Sequence, residues 1–202
     1  MAKSSVHLNG NILAAVDVET TGFIAGFHDL WQVCVLPLDS NIKPSKDIMP
    51  FYMNLKVKRP ENIVKAAIKL NNTNFYELQQ RAIDPWMAAD MFEEWFEALK
   101  LPIYKKICPL ACNYSFDKSF LIDWLGHESY EQFFGPHIRD VMIAALYDND
   151  YASIRANKVD YHHVSLAALC GKLSVDNAKR HDAMQDCLAT AEVYRRLISE
   201  RL

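Results

Sequence analysis

Val16-Asp17-Val18-Glu19-Thr20-Thr21-Gly22 alternates apolar and acidic residues before it breaks at a glycine. Such alternation reads as a strand whose successive side chains point to opposite faces. Val16 and Val18 then point into a core, while Asp17 and Glu19 project together from the other face. Two unit charges about 4 Å apart repel by about 4 kcal/mol at an effective dielectric near 20. A bound divalent cation reverses that cost, and oxygen ligands of this kind suit Mg²⁺ or Mn²⁺. Gly22 permits the backbone to turn closely past whatever the carboxylates hold. Taken alone, an Asp-x-Glu is better read as a strand ending in a solvated turn.

The flanking sequence supplies a sheet for this strand. Ile12 to Val18, Trp31 to Leu38 and Phe51 to Val57 read as three sequential strands separated by turn residues, an antiparallel meander. After Pro60 the period becomes helical, first at Ile63, Ala66, Ala67 and Leu70, then from Trp86 to Leu99 with Met87, Met91, Phe92, Trp95 and Leu99. Ile107 to Cys112 reads as a buried strand, and Phe116 to Leu125 as a helix with Phe120, Leu121 and Trp124 on one face. Further helices are expected around Val141 to Tyr147, Ser165 to Lys172 and Ala183 to Leu202. Strands first, then helices alternating with further strand, make an α/β sheet of mixed direction with helices on its faces. Ligands bind such sheets at strand ends.

Composition bounds the rest. Half of the 202 residues are apolar and 23% are charged with both signs interspersed, which predicts one folded domain over 1–202. The longest uncharged apolar runs fall far short of the roughly 20 residues needed to span a bilayer, and no export signal is visible. The five cysteines are odd in number and form no C-x-x-C pair, so neither a disulfide framework nor a zinc ribbon is indicated. A soluble, cytoplasmic protein with no membrane partner is expected. The net charge of −3 does not exclude nucleic acid, since an acidic cluster and a basic rim cancel in the sum.

Two further acidic segments matter. Asp117, in Asn113-Tyr114-Ser115-Phe116-Asp117, falls in the first turn of a helix that follows a strand. Read alone, it only favours the helix dipole, with Asn113 or Ser115 as the cap. In His181-Asp182-Ala183-Met184-Gln185-Asp186, Asp182 and Gln185 are spaced as a capping box, so the last helix starts just after His181. Five residues of continuous helix would turn His181 and Asp186 about 140° apart, whereas a histidine on the loop before the helix can reach the same point as Asp186. Histidine accepts a proton near neutral pH.

Together the three segments resemble the DEDDh branch of the DnaQ-like exonuclease superfamily. D-x-E-T-T-G is matched from Asp17 to Gly22, N-x-x-F-D by Asn113, Phe116 and Asp117, and H-x4-D by His181 and Asp186. The stretch from Val164 and the closing helix are also similar, and Asp140 resembles a family position that supports the site without being a ligand. Cys112 departs from the pattern, since many relatives carry His there, and Phe23 to Leu110 offers few recognisable positions. The resemblance implies a ribonuclease H-like fold and removal of nucleoside 5′-monophosphates from 3′ ends by two-metal hydrolysis with Mg²⁺ or Mn²⁺. Asp17 would bridge both ions, Glu19 and Asp186 would complete the nucleophile-side site, Asp117 would support the other through water, and His181 would take the proton from the attacking water. Thr20, Thr21, Gly22, Phe23 and Asn113 would bind the terminal nucleotide. Phe23 is either a stacking or wedging residue or a core phenylalanine beside the turn.

Other signals carry less. His162, His163 and Cys170 lack the spacing of a zinc site. Lys56, Lys58, Arg59, Lys65 and Lys69, and Lys105 with Lys106, read equally as phosphate contacts or as a solvated face, and Trp86 to Phe96 as core or subunit contact. Single-stranded DNA or frayed duplex ends are the expected substrate. An exoribonuclease of the same family acting on short RNA, alone or as a homodimer, shares the five catalytic residues. A weakly catalytic nucleic-acid-binding subunit of a polymerase is the alternative from another class. Processivity is expected to come from dimerisation or a replication partner.

Overall fold

The computed structural model describes all residues except 1–5, 8, 9, 70–74, 156, 157, 159 and 200–202. Strand β1 (Val6–His7) is followed by β2 (Asn11–Thr20), β3 (Leu30–Pro37) and β4 (Phe51–Asn54). Helices α1 (Lys65–Lys69), α2 (Phe75–Arg81) and α3 (Pro85–Ala98) lead to β5 (Ile107–Ala111). Then come α4 (Tyr114–Leu125), α5 (His127–Phe133), β6 (Arg139–Asp140), α6 (Val141–Ile154), α7 (Leu166–Lys172) and α8 (Ala183–Ser199).

The sheet runs β4-β3-β2-β5-β6, with β1 paired to β2. β2, β3 and β4 form the antiparallel meander, while β5 joins β2 in parallel and β6 joins β5 in parallel. This is the α/β mixed sheet expected. Both faces are covered. Ile12, Ala14, Val16 and Val18 pack with α3, α4 and α5, and Leu13 and Ala15 pack with α6, α7 and α8. Asp17 and Glu19 continue the α8 side, so the face that carries the acids is itself core one turn of the pleat earlier.

Several expectations shift. The third strand stops at Asn54 instead of Val57, because Leu55 bridges to Ile83 and the Lys56 N–H donates to the Ile83 carbonyl. After Pro60 the chain makes a 3₁₀ turn (Pro60–Asn62), and α1 begins only at Lys65, with Ile63 extended. Leu70, the end of that expected stripe, lies outside the described residues, as do the last three residues expected in α8. In α3 the buried positions are Pro85, Ala88 and Phe92, whereas Met87 and Met91 are exposed. The helix is rotated to bury Phe92 among Phe51, Trp95, Trp124, Phe133 and Phe134, where edge-on and stacked rings add to area burial. In α8, where the spacing of Cys187, Ala191, Tyr194 and Ile198 predicts the apolar stripe, the buried positions include Cys187, Ala191, Val193 and Leu197, and Tyr194 and Ile198 are half-buried. Among the described residues no helix is long and apolar enough to cross a membrane.

Candidate active site

The site is made where β2 outruns its parallel neighbour. β5 pairs with β2 only from Ile12 to Ala15, while β3 accompanies β2 to Thr20. The register shifts between Glu19 and Thr20, leaving Trp31 of β3 unopposed. A bulge of this kind bends the strand end and re-aims its side chains. On the vacated edge the Val18 N–H lacks a ladder partner, and Asp117 Oδ1 of α4 accepts from it at 3.1 Å. That bond brings the acid of the second motif beside those of the first.

α4 is itself placed by Asp140. The Tyr114 N–H donates to Asp140 Oδ2 at 2.8 Å, and Asp140 Oδ1 accepts from the Met142 and Ile143 N–H groups at 2.9 and 3.4 Å. One buried carboxylate thus caps two helices. Asn113 stands at the N-terminus of α4 with φ 64° and makes no side-chain cap; its Oδ1 accepts from Ser115 Oγ instead. Neither Asn113 nor Ser115 is the cap, because Asp140 has taken that role.

On the opposite wall, Asp182 Oδ1 accepts from the Gln185 N–H at 3.1 Å, and α8 starts at Ala183. His181 precedes the helix with φ 64°. Its N–H donates to Asp186 Oδ2 at 2.9 Å, and Asn177 Nδ2 donates to Asp186 Oδ1 at 2.9 Å. Loop placement lets the histidine ring and Asp186 reach one point. Ligand atoms of Glu19, His181 and Asp186 lie within 4.8 Å of one another, and this is the only such group among the described residues. His162 and His163 are exposed and belong to none.

Asp17, Glu19, Asp117, Asp186 and His181 line one cavity of about 220 Å³ with Thr20, Phe23, Ala67, Asn113 and Phe116 among its other walls. Among the described residues no Lys or Arg lines it. Burial, reinforced by the charges of Asp117, Glu19 and Asp186, pushes Asp17 well above the usual carboxylate range. Burial pushes Asp117 up to about 8, against the stabilising backbone N–H bonds it accepts and with the Asp140 charge adding to the rise. Asp186 is raised by burial, opposed by Asn177 and His181. Cys112, also on the wall, is held as a neutral thiol: burial, then the charges of Asp140, Asp117 and Asp17, raise it to about 12. Four carboxylates around one small space, with no basic side chain but a histidine among the described residues, are a donor set that fits hard divalent cations.

The expected nucleotide contacts divide. Thr20, Phe23 and Asn113 line the cavity. Phe23 is 67% exposed, which removes the core reading. Thr21 is fully buried and committed to the fold: its N–H donates to the Asp29 carbonyl, its carbonyl accepts from Val64, and its hydroxyl accepts from the Asp29 N–H. Gly22 makes room for a side chain, not for a ligand. A Cβ there would lie 2.1 Å from His28 Cδ2.

Sequence reasoning passed over a supporting network. Gln32 is buried in β3; its Nε2 donates to Tyr52 Oη and Asn54 Oδ1, and its Oε1 accepts from the Ala183 N–H at 2.8 Å. Tyr52 Oη donates to Asp182 Oδ2 at 2.8 Å. Burial and the Asp182 carboxylate keep that phenol protonated. The network fixes the start of α8 and hence the His181 loop. Its one local signal was a glutamine inside the apolar run Leu30–Pro37, since a buried amide needs partners. Arg59 pairs with buried Asp29 and with Asp123, and Lys56 with Asp84, so these two bases are bound to acids of the fold.

The fold resembles solved exonucleases. E. coli exonuclease I in complex with single-stranded DNA superposes with TM-score 0.72 at 16% identity over 96% of this chain and 41% of that one. The same enzyme with a dT13 oligonucleotide gives 0.69 at 17% over 92% and 40%. A moderately thermophilic exonuclease I from Methylocaldum szegediense gives 0.68 at 20% over 95% and 41%. The chain therefore spans about two fifths of the length of these proteins. No curated protein sequence matches it. The sequence profile of the RNase_T exonuclease family matches residues 14–194, and this protein belongs to that family.

Proposed function

We propose that the chain is a single DEDDh-type exonuclease domain that removes nucleoside 5′-monophosphates from the 3′ ends of single-stranded DNA or frayed duplex ends. The observation that carries this reading is the convergence of Asp17, Glu19, Asp117, Asp186 and His181 on one cavity that no described Lys or Arg lines, in a member of an exonuclease family. DNA as substrate is supported by the likeness to an exonuclease solved with single-stranded DNA.

Asp17, Glu19, Asp186 and Asp117 would hold two divalent cations, Mg²⁺ or Mn²⁺. When bound, such ions neutralise charge on the attacking and leaving oxygens of an in-line phosphoryl displacement. His181, beside Glu19 and Asp186, takes the proton from the attacking water. The new bond forms from water oxygen to phosphorus, the bond to the 3′ oxygen of the preceding nucleotide breaks, and that oxygen takes a proton from solvent to leave as a hydroxyl while His181 releases its proton to solvent. Thr20, Phe23 and Asn113 orient the terminal nucleotide against these groups.

The test offers 5′-labelled DNA and RNA oligonucleotides of matched sequence to the protein with Mg²⁺, Mn²⁺ or EDTA. A ladder shortening from the 3′ end, faster on DNA and abolished by EDTA, is expected. Faster shortening of RNA would make it an exoribonuclease. Binding without cleavage would overturn the enzyme reading in favour of a nucleic-acid-binding subunit.

A further inference from the structure

Large apolar side chains stand in solvent directly after the signature turn. Besides Phe23, Ile24 is 62% and Phe27 53% exposed. The segment that carries them is tied down from every side. The Phe27 and His28 N–H groups donate to the Ile24 carbonyl at 3.2 and 2.8 Å, and the Ile24 N–H donates to His28 Nδ1 at 3.1 Å. Asn62 Nδ2 donates to the Phe27 carbonyl at 2.8 Å. The Arg59 guanidinium donates to the Gly26 carbonyl while pairing with Asp29 and Asp123, and Gly26 makes the bend at φ 82°. Beneath the segment, the His28 ring fills the space at Gly22, and the Phe27 ring stands edge-on to it at 4.9 Å.

A loop so bonded holds its apolar side chains out of the core at a cost in hydration, and it is the segment that leaves the cavity wall at Phe23. Phe23 lines that cavity, and Ile24 and Phe27 follow it in the chain without lining it. Fixed apolar surfaces outside a nuclease cavity suit the faces of unpaired bases, which stack irrespective of sequence. In a duplex those faces are already covered by neighbouring bases.

We propose that Ile24 and Phe27 form a stacking ledge for the bases of the second and third nucleotides from the 3′ end, so that the substrate of this site is nucleic acid whose last three bases are unpaired. The ledge rests on the exonuclease reading above and extends it. Arg59 and Asn62 are positioning residues for it, and base identity at the two stacked positions has little effect.

The test measures KM and kcat on a 5′-labelled single-stranded DNA and on the same strand with abasic residues at the second and third positions from the 3′ end. For Ile24→Ala/Phe27→Ala, KM on the normal strand rises about tenfold or more while kcat holds. The abasic strand raises the wild-type KM by a similar factor and raises that of the variant no further, and Phe27→Trp keeps the wild-type KM. Cleavage with the same KM in wild type and double variant would overturn the ledge alone, as would losses that multiply between variant and abasic strand. A wild-type protein that cleaves no strand in any metal would overturn the exonuclease reading and the ledge with it.

Discussion

The two halves of strand β2 differ in pattern and in fate: Ile12 to Ala15 is apolar at every position, whereas Val16 to Thr20 alternates apolar and polar residues. From Ile12 to Ala15 the strand is paired on both edges and buried on both faces, with Leu13 and Ala15 against the α6, α7 and α8 layer. From Val16 to Thr20 one edge is vacant, and the positions that would continue that layer are Asp17 and Glu19. The difference lies in β5, which stops at Ala111 and leaves room for α4 to bring Asp117 to the Val18 N–H. Where a parallel partner ends before its neighbour, a buried strand becomes a cradle for charge. This is a physical reason why sites of mixed α/β sheets lie at strand ends.

The halves should respond oppositely to substitution. Asp17→Asn should lower kcat by about 10³-fold or more, since divalent cations supply several kcal/mol at about 1.36 kcal/mol per decade. The same change should raise the melting temperature of the metal-free protein by a few degrees, at about 2–4 °C per kcal/mol in a chain of this size, because an amide can be buried there without the proton uptake that burial and its acidic neighbours impose on Asp17. Leu13→Ala, two pleats earlier, should cost about 2–5 kcal/mol of stability and leave kcat per folded molecule unchanged. Denaturant melts and active-site-normalised kinetics measure both. A destabilised Asp17→Asn would break the contrast.

The second way to sharpen it is pH. Burial raises Asp117 from 3.8 to about 8, so the folded protein holds that proton more tightly than the unfolded chain. The resulting stability is fully present below about pH 4 and is lost as pH rises through 8. Metal-free protein should therefore melt lower at pH 8.5 than at pH 6, and Mn²⁺ should recover the loss at pH 8.5 by binding only the folded state. Asp117→Asn, which can still accept from the Val18 N–H, should flatten this pH dependence. A smaller effect is expected from Gln32→Leu, which leaves the Ala183 N–H without its acceptor. We expect kcat to fall about tenfold, below the roughly 10²-fold that a 1 Å misplacement can cost, with KM nearly constant. A change in KM alone would remove Gln32 from the positioning of His181.

What could be read in the sequence was whatever has a local period or a fixed spacing. β2 announced itself by alternation, α3 and α8 by apolar stripes, and the acids and His181 by three ordered motifs. Short elements defined by distant partners escaped. β6 is two residues whose strand character exists only through Leu110 and Ala111, and α5 buries only Tyr130 and Phe133. The rotation of α3 that exposes Met87 and Met91 is set by rings from other elements, not by its own stripe. Gln32 and Ala183 are 151 residues apart, a separation that no local pattern encodes. Gly22 was legible as a glycine that something needs, but the neighbour that needs it, His28, became visible only in three dimensions.

The most direct test of the cation cradle is a calorimetric titration of Mn²⁺ into the protein with a nucleoside 5′-monophosphate present, repeated with Asp17→Asn. We expect two ions per chain in the wild type and loss of at least one in the variant. Wild-type protein that binds none, or a variant that binds as the wild type does, would contradict the assignment of the frayed end of β2 as a metal site.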